Sequence, residues 1–167
     1  MWIILSNLYS LNMPYLASTR FNTETWEQNQ TWRRKNEYRG CVYGTPVRIK
    51  DDVPIGANII ILEMQNDINK IVGIGLVRNN LALDRKYKIY DWGNYNRYTY
   101  RSEFRIDRDS CDVDEEKVMA ILDQLCFKGS RHLKRGSGVT FLPGWIVHNS
   151  HIDFTEKITN MFKRRYQ

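Results

Sequence analysis

Residues 58–79, NIIILEMQNDINKIVGIGLVRN, contain two runs rich in Ile, Leu and Val on either side of the polar sequence Gln65-Asn66-Asp67. Apolar runs bounded by turn-forming residues are typical of the two strands of a β-hairpin. Gly73 and Gly75 lie inside the second run, where an interior glycine indicates a bulge or another group that approaches the backbone closely. The stretch therefore predicts a hairpin at the centre of a small sheet.

Outward from this hairpin, the sequence predicts an α+β chain with about three helices. Residues 23–38 are polar and compatible with a helix, and Asp112 or Asp114 can cap a second helix that ends near residue 127. Asp153 followed by Glu156 resembles a capping box and begins a closing helix. Residues 8–20 are predicted to be a loop, and the remaining predicted strands are 2–5, 41–49, 95–106, 139–142 and 145–147.

The composition is that of one globular domain covering residues 1–167. Hydrophobic residues make up 42% of the chain and charged residues 26%, which is typical of a folded protein with a core. Three widely spaced cysteines without a CxxC pair favour a reducing compartment over a disulfide framework. Because we find neither a signal peptide nor a bilayer-spanning apolar run, we expect an intracellular protein, nuclear or cytoplasmic, with no membrane partner.

The residue usage also bears on the source of the chain. Asn, Ile, Lys and Tyr are abundant and Ala is scarce, as in proteins from AT-rich genomes, those of viruses among them. The expected location therefore includes the host cell of a virus. This bias reflects codon usage and says nothing about activity.

The charge predicts an anionic partner. The formal net charge is +6, and residues 128–138, KGSRHLKRGSG, contain no acidic residue. In this segment, which we call the basic loop, glycine and serine allow close approach to a phosphate surface, and cations neutralise phosphates. The alternative is a solvated turn between a helix and a strand. We predict that the basic loop contacts a nucleic-acid backbone, DNA or RNA, through Lys128, Arg131, His132, Lys134 and Arg135.

Aromatic residues make up 13% of the chain and suggest a pocket for a base. A site that reads a base needs flat side chains above and below it and hydrogen bonds to its edge. Trp92 is a candidate wall because the sequence around it, Asp-Trp-Gly-Asn, is typical of a loop. Burial in the core is the alternative for each tryptophan of the chain. The aromatic and basic residues that alternate over 95–106 could add a surface on which bases stack, but the half-buried strand, which gives the same alternation with its basic face exposed, is the stronger interpretation.

Three features together resemble the PUA-like superfamily, and within it the EVE and YTH domains. They are the opening sequence Trp2-Ile3-Ile4-Leu5-Ser6-Asn7, a tryptophan about twenty residues later, and the Gly73-x-Gly75 strand. The resemblance implies a twisted β-barrel, or a strongly curved mixed sheet, flanked by helices. It also implies a pocket for one flipped and often modified base, formed here by Ser6, Asn7 and Trp26. Trp92 joins this predicted pocket because of its loop setting and not because of the resemblance. Leu5 differs from the basic residue that YTH domains have before this serine.

Metal and catalytic patterns are weak. His148 and His151 are distant in sequence from every cysteine, and the acidic residues of 107–116 do not match a calcium-binding loop. The sequence has no P-loop, nucleophile elbow or dinucleotide-binding fingerprint. We therefore expect no metal and no cofactor, and favour a nucleic-acid-binding module without catalysis. The alternatives are a hydrolase acting on nucleic acid or nucleotides, as in the related ASCH group, and a viral protein-interaction module. The sequence leaves the oligomeric state open.

Overall fold

A computed structural model describes residues 13–166, and the predicted strand at 2–5 lies outside this range. Four helices are present: α1 (Thr23–Lys35), α2 (Val113–Phe127), the single turn α3 (Gly144–Val147) and α4 (Phe154–Tyr166). The seven strands are β1 (Tyr15–Phe21), β2 (Cys41–Thr45), β3 (Asn58–Gln65), β4 (Lys70–Arg78), β5 (Tyr98–Ser102), β6 (Arg105–Asp107) and β7 (Thr140–Phe141).

The strands form two sheets. The larger is mixed, with five strands in the order β6-β4-β3-β1-β7, and the smaller pairs β2 with β5 in antiparallel orientation. Strand β1 runs parallel to β3, whereas the other neighbouring pairs are antiparallel. The α+β class and a mixed sheet with three long helices are confirmed. The strands of residues 13–166 do not close into a barrel, so the PUA-like barrel stays a prediction.

The hairpin at the centre of the chain is confirmed, with β3 and β4 paired along their length. Its register shifts between Glu63 and Met64, because Glu63 pairs with Gly73 but Met64 pairs with Ile71. Val72 is thus the extra residue of a β-bulge. The bulge and the close approach predicted from the two glycines are both present.

Alternating side chains of β3 enter two cores, one on each face of the sheet, because successive side chains of a strand point to opposite faces. Ile60 and Leu62 belong to the core formed with α2 and α4. Ile59 and Ile61 belong to the core that includes Tyr43 of the smaller sheet. A strand buried on both faces is expected to be continuously apolar, as this one is.

Strand β1 corrects the predicted loop at 8–20. Residues Tyr15–Phe21 form a strand paired on both sides, with β3 and β7. The sequence misled us because Ser18, Thr19 and Arg20 are polar, although Ser18 and Thr19 are buried in the structure. Arg20 donates hydrogen bonds to Ser18 and to residues far along the chain, as described below, so the polarity of this segment does not mark a solvated loop.

Two other predicted strands also differ. Residues 145–147, predicted as a strand, form the helical turn α3 after Pro143, and three apolar residues carry too little periodicity to distinguish the two. Residues 95–106 are divided into a 3₁₀ turn (Gly93–Asn96) and strands β5 and β6. The predicted helix starts are confirmed: Asp112 caps α2, and Asp153 accepts a hydrogen bond from the backbone N–H of Glu156.

Candidate functional site

The basic loop connects α2 to β7 and forms part of a cavity of about 210 Å³, which we call the loop cavity. Its C-terminal half supplies Lys134, Gly136, Ser137 and Gly138 to the lining. The remaining lining comes from elements that are far away in sequence. It comprises Thr19, Arg20, Phe21, Asn22, Thr25, Gly44, Asn66, Tyr90 and Tyr95.

Arg20 of β1 attaches the basic loop to the central sheet. Its guanidinium donates hydrogen bonds to the backbone oxygens of Leu133, Gly136 and Gly138, at 3.2, 3.2 and 2.9 Å. It also donates to the hydroxyls of Ser18 and Thr140. Burial lowers the pKa of Arg20, but a guanidinium remains protonated in proteins. Because all five acceptors are neutral oxygens, the positive charge of Arg20 adds to the potential of the loop cavity.

Asn66 of the hairpin turn attaches the basic loop at the same cavity. Its Nδ2 donates to the backbone oxygen of Lys134 at 2.9 Å, which fixes the orientation of the amide. Its Oδ1 is buried and has no hydrogen-bond partner among residues 13–166. An unsatisfied buried oxygen costs roughly 1–3 kcal/mol. Because this oxygen is closed to solvent, Asn66 contributes to the loop cavity by holding the backbone of Lys134 in place.

An aromatic group borders the loop cavity. Tyr90 and Tyr95 line it, with ring centroids 6.0 Å apart and the rings nearly perpendicular. Trp92 contacts the Tyr95 ring edge-on, with centroids 4.7 Å apart, and is 60% exposed. Burial raises the pKa of Tyr90, whose hydroxyl accepts a hydrogen bond from Asn29. Tyr90 is thus fixed in place, while the indole of Trp92 is accessible.

The predicted phosphate-contacting residues take different positions. Lys134 lines the loop cavity, and its backbone N–H donates to Nδ1 of His132 at 3.2 Å. Lys128 and Arg135 are exposed on the basic loop. The guanidinium of Arg131 lies over the ring of Trp145, 4.3 Å from its centroid. The structure therefore brings one of the five predicted residues into the cavity lining and leaves three others, Lys128, Arg131 and Arg135, exposed on the loop surface.

The predicted base-pocket residues are not gathered in one place. Trp92 lies beside the loop cavity through its contact with Tyr95, whereas Trp26 is absent from the lining. Trp26 is half-buried against Phe21, and the guanidinium of Arg33 lies 5.3 Å from its ring. Ser6 and Asn7 lie outside the described residues.

The sequence analysis missed several lining residues of the loop cavity. Tyr95 was assigned to a strand, Arg20 to a loop and Asn66 to a hairpin turn. The one available signal was the group of aromatic residues around Trp92. The contacts of Arg20 join residues more than 110 positions apart, as with Gly136, and no local pattern indicates them.

The glycines of β4 make room for a buried ionic cluster, which is separate from the loop cavity. Glu63 accepts hydrogen bonds from Arg105 at 3.0 and 2.7 Å and from the Tyr43 hydroxyl at 2.9 Å. A Cβ atom on Gly73 would overlap Glu63, and one on Gly75 would overlap Tyr43. Burial alone lowers the pKa of Arg105, but the Glu63 carboxylate raises it above its ordinary value. Because Glu63 and Arg105 are almost closed to solvent, we assign this cluster a structural role.

The acidic residues of 107–116 act mainly as caps and ion-pair partners. Asp107 accepts from the backbone N–H of Asp109, and Asp112 accepts from that of Glu115. Glu116 forms a 2.6 Å salt bridge with Arg108. Within residues 13–166, no group of three or more His, Cys, Asp or Glu side chains is placed to hold a metal ion.

Comparisons with known proteins identify no relative. No protein-family model, curated protein or solved structure matches the chain. Among the described helices, none has the length and apolar character required to cross a membrane.

Proposed function

We propose that the protein is a PUA-like module that binds single-stranded nucleic acid without catalysis. One base occupies the loop cavity, and the basic loop contacts the neighbouring phosphates. The proposal rests on one observation: residues of the basic loop line the same cavity as Tyr90 and Tyr95. A cationic segment and aromatic rings at one site supply the two components of single-strand binding.

The loop cavity suits a single base. Its volume of about 210 Å³ is below the roughly 300–1,000 Å³ that is usual for pockets that hold drug-sized ligands. Tyr95 lines the cavity and offers a ring face or edge against which a base can pack. A cavity of this size also senses an added methyl group through packing. A modified base is therefore the ligand class that the PUA-like resemblance suggests.

The cationic side chains of the basic loop would bind the phosphates of the strand. Lys134 lies in the cavity lining, and Lys128 and Arg135 are exposed on the same loop. For a single strand, each neutralised phosphate contributes about 0.7 to the slope of log affinity against log salt. A steep salt dependence therefore distinguishes this proposal from a protein-interaction module.

The hydrolase alternative would use His132, Lys134 and the acidic residues of 107–116 as catalytic groups. Nδ1 of His132 already accepts the backbone N–H of Lys134, which leaves only its Nε2 for proton transfer. That alternative requires time-dependent turnover of a nucleotide or oligonucleotide. Binding without turnover favours the module proposed here.

The test measures the affinity of labelled single-stranded RNA and DNA by fluorescence anisotropy at several salt concentrations. Lys134→Ala is expected to weaken binding to every sequence. It should also reduce the slope of log affinity against log salt by about 0.7, the contribution of one phosphate contact. Trp92→Ala is expected to remove base stacking worth about 1–3 kcal/mol, with an unchanged salt slope. Both side chains are accessible enough for the variants to fold.

Two matched variants control for charge and for exposed apolar area. Lys117→Ala removes the same charge from an exposed position on α2, and Ile55→Ala truncates an apolar side chain that is 88% exposed. Both should bind like the wild type. The proposal is wrong if the wild type binds no single strand, or if the cavity variants behave like these controls.

A further inference from the structure

A second, larger cleft lies next to the loop cavity and has a strongly basic lining. It has a volume of about 710 Å³, and we call it the arginine cleft. One carboxylate, that of Asp91, is in its lining. The cationic side chains of the lining are Arg48, Arg85, Lys86, Lys88 and Arg97.

Most of these cations are available to a ligand. Arg85 pairs with Asp84 at 3.2 Å on the exposed surface. The other four form no salt bridge within residues 13–166. The guanidinium groups of Arg48 and Arg97 both lie near the Tyr98 ring, 5.2 and 5.6 Å from its centroid. These cation–π contacts hold two charges at the cleft without neutralising them.

The two clefts share a wall. Tyr90 and Tyr95 line the loop cavity, and Arg97 and Tyr98 of the same segment line the arginine cleft. Tyr95 and Arg97 are two residues apart, so their Cα atoms lie within about 7 Å of each other. A nucleic-acid strand that leaves the loop cavity at Tyr95 would therefore have the arginine cleft as the next basic surface along this segment.

The shared wall is held in a fixed shape by Asn96. Its Oδ1 accepts the backbone N–H groups of Ile89 and Tyr90, at 3.0 and 2.9 Å, and its Nδ2 donates to the backbone oxygen of Tyr90 at 2.6 Å. The exposed indole of Trp92 projects from the same segment. A fixed wall with an accessible ring between two basic sites is suited to a chain of stacked bases and phosphates.

We propose that the arginine cleft binds the phosphodiester backbone of the single strand whose base occupies the loop cavity. This inference rests on the proposed function and adds the direction in which the nucleic-acid strand leaves the loop cavity. The strand runs from the loop cavity across Trp92 to Arg48, Lys86 and Arg97. Affinity then increases with oligonucleotide length until both clefts are filled, on the order of four or more nucleotides.

The experiment compares the wild type with the triple variant Arg48→Ala/Lys86→Ala/Arg97→Ala. Binding of a fluorescein-labelled eight-nucleotide poly-uridine or poly-thymidine is measured by anisotropy over a series of salt concentrations. The triple variant should lose at least tenfold in affinity at low salt, and its salt slope should fall by about 2, or 0.7 for each phosphate contact. Its affinity for a nucleoside monophosphate, measured by competition, should change less than twofold.

A charge-matched control carries Arg39→Ala/Arg78→Ala/Lys117→Ala, which also removes two arginines and one lysine from exposed positions. Its salt slope should stay within 0.5 of the wild-type slope. An equal loss in this control would show an effect of net charge alone and would overturn the assignment of the cleft.

The other outcomes separate the two proposals. If Lys134→Ala and Trp92→Ala weaken binding but the cleft variant retains the wild-type affinity and slope, the function stands and the arginine cleft is not part of the site. The affinity for a labelled duplex is measured in the same way. If the cleft variant loses as much affinity for the duplex as for the single strand, the proposed single-strand path is wrong. If the wild type binds no oligonucleotide, both proposals fail.

Discussion

Gly73 has no room for a side chain, although its backbone conformation is ordinary. A Cβ atom there would overlap Oε2 of Glu63 and the guanidinium of Arg105. These two groups form a 2.7 Å salt bridge, and their side chains are 2% and 5% exposed. A buried ion pair tolerates little displacement, because each charge depends on its partner to offset the loss of water.

We therefore expect Gly73→Ala to lower the free energy of unfolding by about 1–3 kcal/mol, the usual cost of overpacking. Urea denaturation measures the change. Gly93→Ala is the matched control, since a Cβ atom at Gly93 meets nothing within 4 Å. That control should stay within about 0.5 kcal/mol of the wild type. Equal stability of the two variants would contradict the packing argument.

For single residues, the sequence predicted that another group lies close to the backbone of Gly73 and Gly75. It did not show which groups these are. Glu63 and Arg105 are 42 positions apart, and Arg105 was expected on an exposed basic face of residues 95–106. The alternation of that segment is broken between β5 and β6. Arg105 therefore points inward to a charge that no local pattern reveals.

Among the secondary-structure elements, Glu115 connects the start of α2 to the end of α4. Its carboxylate accepts hydrogen bonds from Arg165 at 2.7 and 2.8 Å, from Arg164 at 2.9 Å and from the backbone N–H of Asp112 at 3.0 Å. These bonds, first that of Arg165, lower the pKa of Glu115 from its ordinary 4.5 to about 2. A carboxylate with a lowered pKa stabilises the fold above its unfolded pKa. This contribution is complete above about pH 4.5 and is lost as the pH falls towards 2.

Glu115→Gln should therefore lower the free energy of unfolding at pH 7 by about 1–3 kcal/mol, the value of hydrogen bonds to a charged group. The difference between variant and wild type should shrink as the pH falls from 4.5 towards 2, because this carboxylate takes up a proton in the unfolded wild type before it does so in the folded state. Denaturation curves at pH 7, 4 and 2.5 measure it. Asp114→Asn, in a side chain that is 93% exposed, is the control and should change little at any pH. A pH-independent difference for Glu115→Gln would contradict the assignment.

The helices were more predictable than the strands because their signals are local. Asp112 and Asp153 cap their helices through neighbours three residues away. Strand β1 was mistaken for a loop because the partners of Arg20 lie in the basic loop and in β7, over 100 positions further along the chain. A buried polar strand cannot be recognised until its partners are known.

For the whole molecule, the loop cavity exists because five separate parts of the chain converge: residues 19–25, Gly44 of β2, Asn66 of the hairpin turn, the segment around Tyr90, and the basic loop. The sequence identified the basic loop from its charge and the aromatic group from its composition. It did not place them together, since that placement depends on the non-local pairing of β1 with β3 and β7. The arginine cleft was missed for the same reason: Arg48 and Arg97 meet only through the pairing of β2 with β5.

Arg20 is the side chain on which this convergence depends, and Arg20→Lys tests it without changing the net charge. Lysine has three donors on one nitrogen and cannot span the acceptors that the guanidinium reaches. We expect hydrogen exchange at the backbone N–H groups of Leu133 and Lys134 to become about tenfold faster, which corresponds to about 1.4 kcal/mol in the free energy of loop opening. Oligonucleotide affinity should fall several-fold with an unchanged salt slope, because the loop is less well ordered while its charge is retained. Arg78→Lys, at the exposed end of β4, is the control and should leave exchange and affinity as in the wild type. Wild-type exchange in Arg20→Lys would show that the basic loop keeps its shape without this contact, and the loop cavity would then owe its form to the loop backbone alone.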